Sequence, residues 1–251
     1  MKKIKCLSLT VLMLVIVGTC VAQNGPFNRP WKDKRVALVI DPFQGNKIVW
    51  EKLAAEPRVV GIIHRATIGD SKDTRYAQRK DEAKSRGYKW GSYHLGKPGD
   101  PIAQADFYLD TVRPAEDEVM ALDIESLNPK TDMSLADARR FILRIKEKTG
   151  RYPMFYANHA VTREVSDRFG RDEVFSKIAL WYARFKSQVT DFPTQTWSAY
   201  TLWQFSSEIN CVPAHPENCL FRVPGTQTDM DVNVYNGTVE ELKAAWPFRR
   251  E

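Results

Sequence analysis

Short apolar runs rich in β-branched residues recur along most of the chain and alternate with polar segments. Runs of this length, bounded by turn-forming or charged residues, are typical of buried β-strands. Eight runs have this character: RVALVID, RVVGIIHRA, KWGSYHLG, VMALDIES, PMFYANHA, IALWYARF, YTLWQFSS and MDVNVYNG. The hydrophobic pattern therefore predicts eight strands.

The first five gaps between these runs are mostly helical in character. The segment DTRYAQRKDEAKSRG ends at Gly87, Asp100 precedes Pro101, and Ser134 stands at the start of the segment SLADARRFILRIKEKTG. These are residue types that begin and end helices. The later gaps are rich in Pro, Ser and Thr and lack helical periodicity. Strands that alternate with helices favour a parallel α/β architecture. We expect an irregular, flattened TIM-like (β/α) barrel with helices mainly between the first five strands, with an open doubly wound sheet as the alternative.

The beginning of the chain differs from the rest. Three lysines precede the apolar run CLSLTVLMLVIVG, which ends in small residues near Ala22. This layout predicts a secretory signal peptide over residues 1–22 and export to the periplasm or the medium. An uncleaved anchor and lipid attachment at Cys20 are the alternatives. We expect residues 23–34 to form an extended arm and residues 35–251 to form one barrel domain.

The net charge of the chain limits the classes of molecule that we expect it to bind. The sequence has 37 Lys and Arg against 31 Asp and Glu, and three of the basic residues lie in the predicted leader. No basic run is interleaved with aromatic residues, so we predict no nucleic-acid partner. A mildly basic domain suits an anionic polymer. We expect a monomer with no integral membrane domain once the leader is removed.

Two cysteines, Cys211 and Cys219, lie beyond the leader in the segment CVPAHPENC. In an oxidising compartment their proximity in sequence predicts a disulfide. A zinc site that includes His215 is the alternative, but the segment lacks the usual number and spacing of ligands. The histidines show no metal-binding spacing either, so the sequence predicts no metal and no cofactor.

Four acidic residues lie in three of the predicted strand runs, the first, the fourth and the last: Asp41, Asp123, Glu125 and Asp231. Chemistry in parallel barrels lies at the carboxyl ends of the strands, so we expect these acids at one mouth. The two-residue period of a strand puts Asp123 and Glu125 on the same face, about 7 Å apart. Two carboxyl groups with separated pKa values are what general-acid cleavage of a glycosidic bond requires. The alternative is that they are strand-end acids paired with Arg or Lys.

Aromatic residues occur in the same strand runs. Their rings can stack on sugars, although an aromatic in a barrel strand can equally belong to the core. The residues are Tyr93, Tyr156, Trp181 and Trp203.

Seven motifs together carry a family resemblance: VIDPFQGN, GIIHRATIGDSKDTRYAQRKDEAKSRGYKWGSYHLG, ALDIES, TGRYPMFYANH, LWYARF, YTLWQFSS and MDVNVYNG. In this order and spacing, from Val39 to Gly237, the chain resembles the glycoside hydrolase family 25 lysozymes. The resemblance implies a (β/α) barrel with β-1,4-N-acetylmuramidase activity on the glycan strands of peptidoglycan. It implies cleavage between N-acetylmuramic acid and N-acetylglucosamine.

The resemblance also assigns roles to individual residues. Glu125 matches the general acid, and Asp123 matches a partner that stabilises a substrate-assisted or covalent intermediate. Asp41 and Asp231 match further active-site carboxylates. Tyr93, Tyr156 and Gln204 match positions that look like sugar-contacting or site-supporting residues. We expect substrate contacts from these three and from Trp203, with support of the site as the alternative for the first three.

One position departs from the family pattern. Many members have an acid in A-T-E-G, whereas this chain reads ATIG, with Ile68 in that place. Asp70 could replace the missing acid if the strand continued, or it could simply cap a turn. The departure keeps a second hypothesis open, a non-catalytic or weakly active peptidoglycan-binding protein on a lysozyme-like barrel. Retention of the four carboxylates favours the enzyme.

Overall fold

The computed structural model describes residues 29–212, 214–227 and 230–249. The predicted leader, residues 1–22, and the lipidation alternative at Cys20 lie outside these segments.

Eight strands close into a barrel, and a ninth short strand forms a hairpin at its rim. Going around the barrel, the order is β1, β2, β4, β5, β6, β7, β8 and β9, with β9 paired back to β1. All eight predicted strands and the barrel class are therefore confirmed. The strands are β1 (Val36–Ile40), β2 (Val59–Ile68), β3 (Ser71–Lys72), β4 (Lys89–Leu95), β5 (Val119–Ile124), β6 (Met154–Asn158), β7 (Leu180–Ala183), β8 (Leu202–Ser206) and β9 (Val232–Thr238).

Helices fill the first five gaps between barrel strands, as the sequence predicts. The side chain of Asp100 caps the first turn of α3, and Ser134 accepts a hydrogen bond from the backbone of Asp137 in α4. From β7 to β9 the described segments contain one short 3-10 turn, Pro216–Asn218. The helices are α1 (Trp50–Leu53), α2 (Tyr76–Ser85), α3 (Pro101–Val112), α4 (Leu135–Thr149), α5 (His159–Phe169) and, after the last strand, α6 (Val239–Ala245).

The direction of the last strand corrects the expectation of a wholly parallel sheet. The neighbouring pairs from β1 to β8 are parallel, but β9 runs antiparallel to both β1 and β8. A parallel connection needs a crossover that returns the chain to the starting edge, usually a helix, and none lies between β8 and β9 in the described segments. The chain therefore enters β9 at the end of the barrel where the other strands finish.

Alternate residues of each strand separate two cores. In β1, Ala37 and Val39 face the interior of the barrel, whereas Leu38 and Ile40 pack into the outer layer. The interior is closed after β9 by Trp246, at the opposite end from the strand carboxyl ends. Gly61 permits this closure, because a Cβ atom there would lie 2.8 Å from the Trp246 ring.

The end of the predicted arm packs against the outer core. Residues Pro30–Lys32 form a 3-10 turn, so this part is not extended. The Trp31 side chain is buried and stacks on Phe205 with ring centroids 4.5 Å apart.

The long connection from β8 to β9 contains a disulfide between Cys211 and Cys219, which confirms that prediction. Within the described residues, no helix has both the length and the apolar character needed to cross a bilayer.

Candidate active site

The four predicted acids lie together at one end of the barrel. Asp41 follows β1, Asp123 is near the end of β5, and Glu125 comes directly after β5. Asp231 precedes β9, and the antiparallel direction of β9 brings it to the same end. The backbone N–H of Asp41 donates a hydrogen bond of 3.3 Å to the carbonyl oxygen of Asp231. We expected the four acids to meet because all strands would run parallel. They meet instead because β9 runs in the opposite direction, so its first residues lie at the carboxyl ends of the other strands.

Asp41 is buried and held by two amide side chains. Gln204 Nε2 donates to Asp41 Oδ2 at 2.8 Å, and Asn233 Nδ2 donates to Asp41 Oδ1. Gln204 is in turn fixed by the Tyr156 hydroxyl, which donates to its Oε1 atom at 2.7 Å, and the Trp181 indole donates to Asn233 Oδ1. This chain of hydrogen bonds fixes the orientation of the Asp41 carboxylate.

The pKa of Asp41 reflects both its burial and its neighbours. Burial raises it well above the ordinary value, and the nearby charge of Asp231 raises it further. The hydrogen bond from Asn233 opposes these effects because it favours the ionised carboxylate. The site therefore holds its acids close enough for each to affect the ionisation of the next.

Asp123 is also buried, with 5% of its surface exposed. Burial raises the pKa of Asp123 well above the ordinary value, and the charge of Glu125 raises it further. Asp123 Oδ1 has no hydrogen-bond partner among the described residues. A buried carboxylate oxygen without a partner is available to a ligand that enters the mouth.

Glu125 lies at the rim and its side chain reaches solvent. Even so, the surrounding wall removes enough water for desolvation to be the main cause that raises the pKa of Glu125. Lys97 opposes this rise, and the charge of Asp132 adds to it. Asn158 Nδ2 donates to the Glu125 carbonyl oxygen at 2.6 Å and fixes the backbone. The result is an accessible acid that keeps its proton to higher pH than an ordinary glutamate.

Two tyrosines lie beneath the acids in the interior of the barrel. Tyr93 and Tyr156 each expose 8% of their surface and contact the Trp181 ring edge to face, at centroid distances of 6.1 and 4.9 Å. Burial raises the pKa of both hydroxyls, followed by the charges of the neighbouring aspartates. Their place at the base of the mouth fits a supporting role for the acids.

Trp203 lies on the other face of β8 from Gln204. Its side chain is fully buried in the outer core, where its ring contacts Trp31, Tyr200 and Phe205. Consecutive strand residues face opposite sides of a sheet, so Trp203 and Gln204 cannot both face the mouth. This placement contradicts the predicted substrate contact of Trp203.

Ile68 is the last residue of β2 and is half-buried. The strand does not continue beyond it, because Gly69 and Asp70 form the two-residue turn that leads into β3. Gly69 has φ +53, in the left-handed region that such a turn needs. Asp70 is exposed and accepts a hydrogen bond from the Ser71 hydroxyl at 3.3 Å. Asp70 is thus a turn residue, in agreement with the second of the two alternatives.

Two cations and one amide at the site were missed by the sequence reasoning. Arg65 lies on β2, two residues after the inward-facing Ile63, and Lys97 follows β4. Their positive charges lower the pKa of Glu125. The available signal was a basic residue at the carboxyl end of a barrel strand. For Asn233 the available signal was its place in the last strand run, two residues after Asp231.

His94 is buried and supports the mouth from the outer layer. Its Nδ1 atom lies 2.7 Å from the Thr67 hydroxyl and its Nε2 atom 3.0 Å from Gln104 Oε1. Burial lowers the pKa of His94 to about 4, which keeps the imidazole neutral. Across the described parts of the chain, no group of three or more His, Cys, Asp or Glu side chains is arranged to hold a metal ion.

Solved structures share this fold. A bacterial lysozyme from Streptomyces coelicolor is 24% identical, with a TM-score of 0.68 over 84% of this chain and 97% of the other. A family GH25 lysozyme from Aspergillus fumigatus is 22% identical, with a TM-score of 0.65 over 83% and 98%. A spore cortex lytic enzyme from Clostridium perfringens is 22% identical, with a TM-score of 0.65 over 82% and 69%. No curated protein matches the chain.

The sequence itself matches the family described as glycosyl hydrolases family 25, over residues 40–212. This match spans more than half of the chain and includes three of the four carboxylates. The chain belongs to glycoside hydrolase family 25, as the resemblance predicted, and it is a glycoside hydrolase.

Proposed function

We propose that this protein is a peptidoglycan hydrolase that cleaves the β-1,4 bond between N-acetylmuramic acid and N-acetylglucosamine. The observation that carries the proposal is the pair of Glu125 and Asp123 in one mouth. Glu125 is accessible with a raised pKa, and Asp123 is buried with an oxygen atom open to a ligand. The similar solved structures are those of lysozymes and of a spore cortex lytic enzyme, which supports the choice of substrate.

The two carboxyl groups divide the reaction between them. Glu125 donates its proton to the glycosidic oxygen while the bond from that oxygen to the anomeric carbon breaks. The ionised Asp123 stabilises the positive charge that develops on the sugar ring. It does so either by orienting the N-acetyl group of the substrate, whose carbonyl oxygen attacks the anomeric carbon, or by attacking that carbon itself.

The second step restores the enzyme. Glu125, now ionised, accepts a proton from water, and the oxygen of that water bonds to the anomeric carbon. The bond from that carbon to the N-acetyl oxygen, or to Asp123, breaks at the same time and the sugar product is released. The carboxylates of Asp41 and Asp231 add negative charge at the mouth, which favours the positively charged transition state. The charge of Glu125 raises the pKa of Asp123, so Asp123 ionises more readily while Glu125 holds its proton, and this is the working state of the pair.

Clearing of purified cell walls, measured by turbidity, tests the proposal. Glu125→Gln should reduce the rate about 10²- to 10⁴-fold because it removes the general acid. Glu173→Gln, an exposed acid that makes the same change in charge, should leave the rate unchanged. The enzyme proposal fails if Glu125→Gln clears walls as fast as the wild-type protein does.

Ile68 supports the second candidate, a wall-binding protein with weak activity or none. Analysis of the reducing ends of released fragments separates the two candidates, since a muramidase leaves N-acetylmuramic acid at each new reducing end. Sedimentation of the protein with walls, without any new reducing ends, would favour the binding protein.

We also propose that the protein acts outside the cytoplasm. The disulfide between Cys211 and Cys219 suits an oxidising compartment. The predicted leader supplies the export signal. Cell fractionation, with sequencing of the mature amino terminus, tests export and cleavage after Ala22.

A further inference from the structure

Arg65 is a cation at the mouth that is ion-paired with Asp73 and has a buried donor atom without a hydrogen bond. Its guanidinium group lies over the Phe43 ring at 4.7 Å, and its Nε atom is 3.6 Å from Asp73 Oδ2, beyond hydrogen-bond length. That Nε atom is buried and has no hydrogen-bond partner among the described residues. An arginine in such a position is prepared to bind an oxyanion.

Lys97 is a second cation of the same kind, on a loop that is held firmly. Gln104 Nε2 donates to the Lys97 carbonyl oxygen at 2.8 Å, and the Lys97 N–H donates to Gln104 Oε1 at 3.1 Å. Its ammonium group is 3.7 Å from Asp132 Oδ1, again beyond hydrogen-bond length. The backbone is therefore fixed, while the ammonium group is ion-paired with Asp132 at a distance too long for a hydrogen bond.

The two cations flank the position where this chain lacks an acid. Arg65 pairs in register with Tyr93, and Ile68 pairs with Leu95, two residues before Lys97. A Cβ atom on Gly69 would lie 3.3 Å from the Lys97 Cβ atom, so Lys97 passes close to the end of β2. Arg65 is ion-paired with Asp73 and Lys97 with Asp132, both beyond hydrogen-bond length, and Ile68 adds no further acid beside them.

We propose that Arg65 and Lys97 form an anion subsite in the mouth that binds a carboxylate of the glycan. This inference rests on the proposed function, which it deepens by naming the substrate class. A guanidinium group and an ammonium group together offer charge-assisted hydrogen bonds of the kind that carboxylates accept. The apolar, half-buried Ile68 at the end of β2 adds no negative charge that would compete with such a ligand.

Peptidoglycan offers such a carboxylate from two sources. The lactyl group of muramic acid has a free carboxylate only when the stem peptide has been removed, and otherwise the stem peptide supplies its own carboxylates. The lactyl group is attached to the ring whose glycosidic bond is cut, so it is the group that residues of the mouth can reach. We therefore expect a preference for peptide-free glycan, the product of hydrolysis of the amide bond between lactyl group and peptide.

Three substrates distinguish these sources: peptide-bearing strands, peptide-free strands, and peptide-free strands whose lactyl carboxylates have been converted to methylamides. The rates of reducing-end release give kcat/KM for each. The wild-type protein should prefer the free lactyl carboxylate by about tenfold, the size expected for one charge-assisted hydrogen bond. A preference for peptide-bearing strands, lost in the variants below, would support the same subsite with the stem peptide as its ligand.

Variants connect the preference to the two cations. Lys97→Gln and Arg65→Gln should each reduce the preference towards equality, mainly through KM, whereas Lys148→Gln, at the far end of α4, should retain it. Ile68→Glu should also remove the preference because it neutralises the cations, and the uncharged Ile68→Gln should not. The Ile68 pair removes neither cation, so it tests the subsite even if Arg65→Gln fails to fold.

The outcomes separate the two proposals. Equal rates on the three substrates, or a preference that persists in Lys97→Gln and Ile68→Glu, would overturn the subsite and leave the muramidase proposal intact. Failure of the wild-type protein to release reducing ends from any of the three would instead overturn the proposed function.

Discussion

Gln204 donates a hydrogen bond of 2.8 Å to the buried carboxylate of Asp41 and accepts one of 2.7 Å from the Tyr156 hydroxyl. These hydrogen bonds join the end of β1 to β8 at the base of the mouth. Gln204 matches a family position expected to contact substrate, and its contacts in this structure are those of a residue that orients Asp41.

Gln204→Leu should weaken both stability and activity. It leaves Asp41 Oδ2 and the Tyr156 hydroxyl without their partners in a buried site, which costs about 1–3 kcal/mol for each group. Denaturant unfolding and wall clearing measure the two effects. Gln78→Leu, an exposed position on α2, is the control. Unchanged stability of Gln204→Leu would show that the hydrogen bonds do not hold Asp41.

Asp123→Asn should stabilise the fold at neutral pH. Burial raises the pKa of Asp123 above its ordinary value of 3.8, so the folded chain keeps the proton to higher pH than the unfolded chain does. Stability is therefore full below the ordinary value and is lost as pH rises through the folded pKa. Asparagine avoids that loss, which is about 1.4 kcal/mol for each unit of pKa difference.

Thermal unfolding at about pH 3.5 and about pH 7 measures this effect. The melting temperature of Asp123→Asn should exceed that of the wild-type protein at pH 7 by about 2–4 °C for each kcal/mol, with little difference at pH 3.5. A melting temperature of Asp123→Asn below that of the wild-type protein at pH 7, with little difference at pH 3.5, would mean that the ionised carboxylate stabilises the fold. Activity should fall in the same variant.

Lys97→Gln and Glu208→Gln should move the pH profile in opposite directions. A general acid works only when protonated, so activity should fall as pH rises through the pKa of Glu125. Lys97 lowers that pKa and Glu208 raises it. Loss of Lys97 should move the alkaline limb to higher pH and loss of Glu208 to lower pH, each by less than about one unit.

The measurement is the pH at which kcat/KM falls to half on the alkaline side, determined at low salt. This pH does not depend on the maximal activity of each variant. Added salt should reduce both displacements, because it screens charges at the open rim. Displacements in the same direction would remove Glu125 from the role of general acid.

Loss of the disulfide should destabilise the connection that leads to β9. The Cys211→Ser, Cys219→Ser double variant should lose about 2–3 kcal/mol of unfolding free energy, as expected for a short closed loop. The same decrease should follow when a reductant is added to the wild-type protein, and the reductant should not affect the double variant. Equal stability with and without reductant would contradict this prediction.

Much of this architecture is readable from the sequence, because strand periodicity and helix caps are local signals. The runs around Asp41 and Asp123 predicted both the strands and their burial. The direction of β9 could not be read in this way, since a two-residue period is the same in both directions. The period does show that Trp203 and Gln204 face opposite sides, and only the outward contacts of Trp203 decide which one faces the mouth.

The cations of the mouth were harder to predict than its acids. Arg65 and Lys97 lie in ordinary-looking segments, and their importance depends on what they do not contact, which only coordinates can show. Asn233 lies in the same run as Asp231, but the importance of its amide depends on its hydrogen bond to the distant Asp41. The contacts that give these residues their roles are made with residues from other segments of the chain, which a local sequence pattern does not reveal.

The reversed last strand also makes the mouth depend on residues from the beginning and the end of the barrel. Asp41 is among the first residues of the barrel and Asp231 is among the last, and their backbones meet only when β9 closes between β1 and β8. A nascent chain that lacks β9 therefore lacks Asp231, Asn233 and a closed barrel wall. An activity built in this way requires a chain that extends at least through β9 and has closed the barrel.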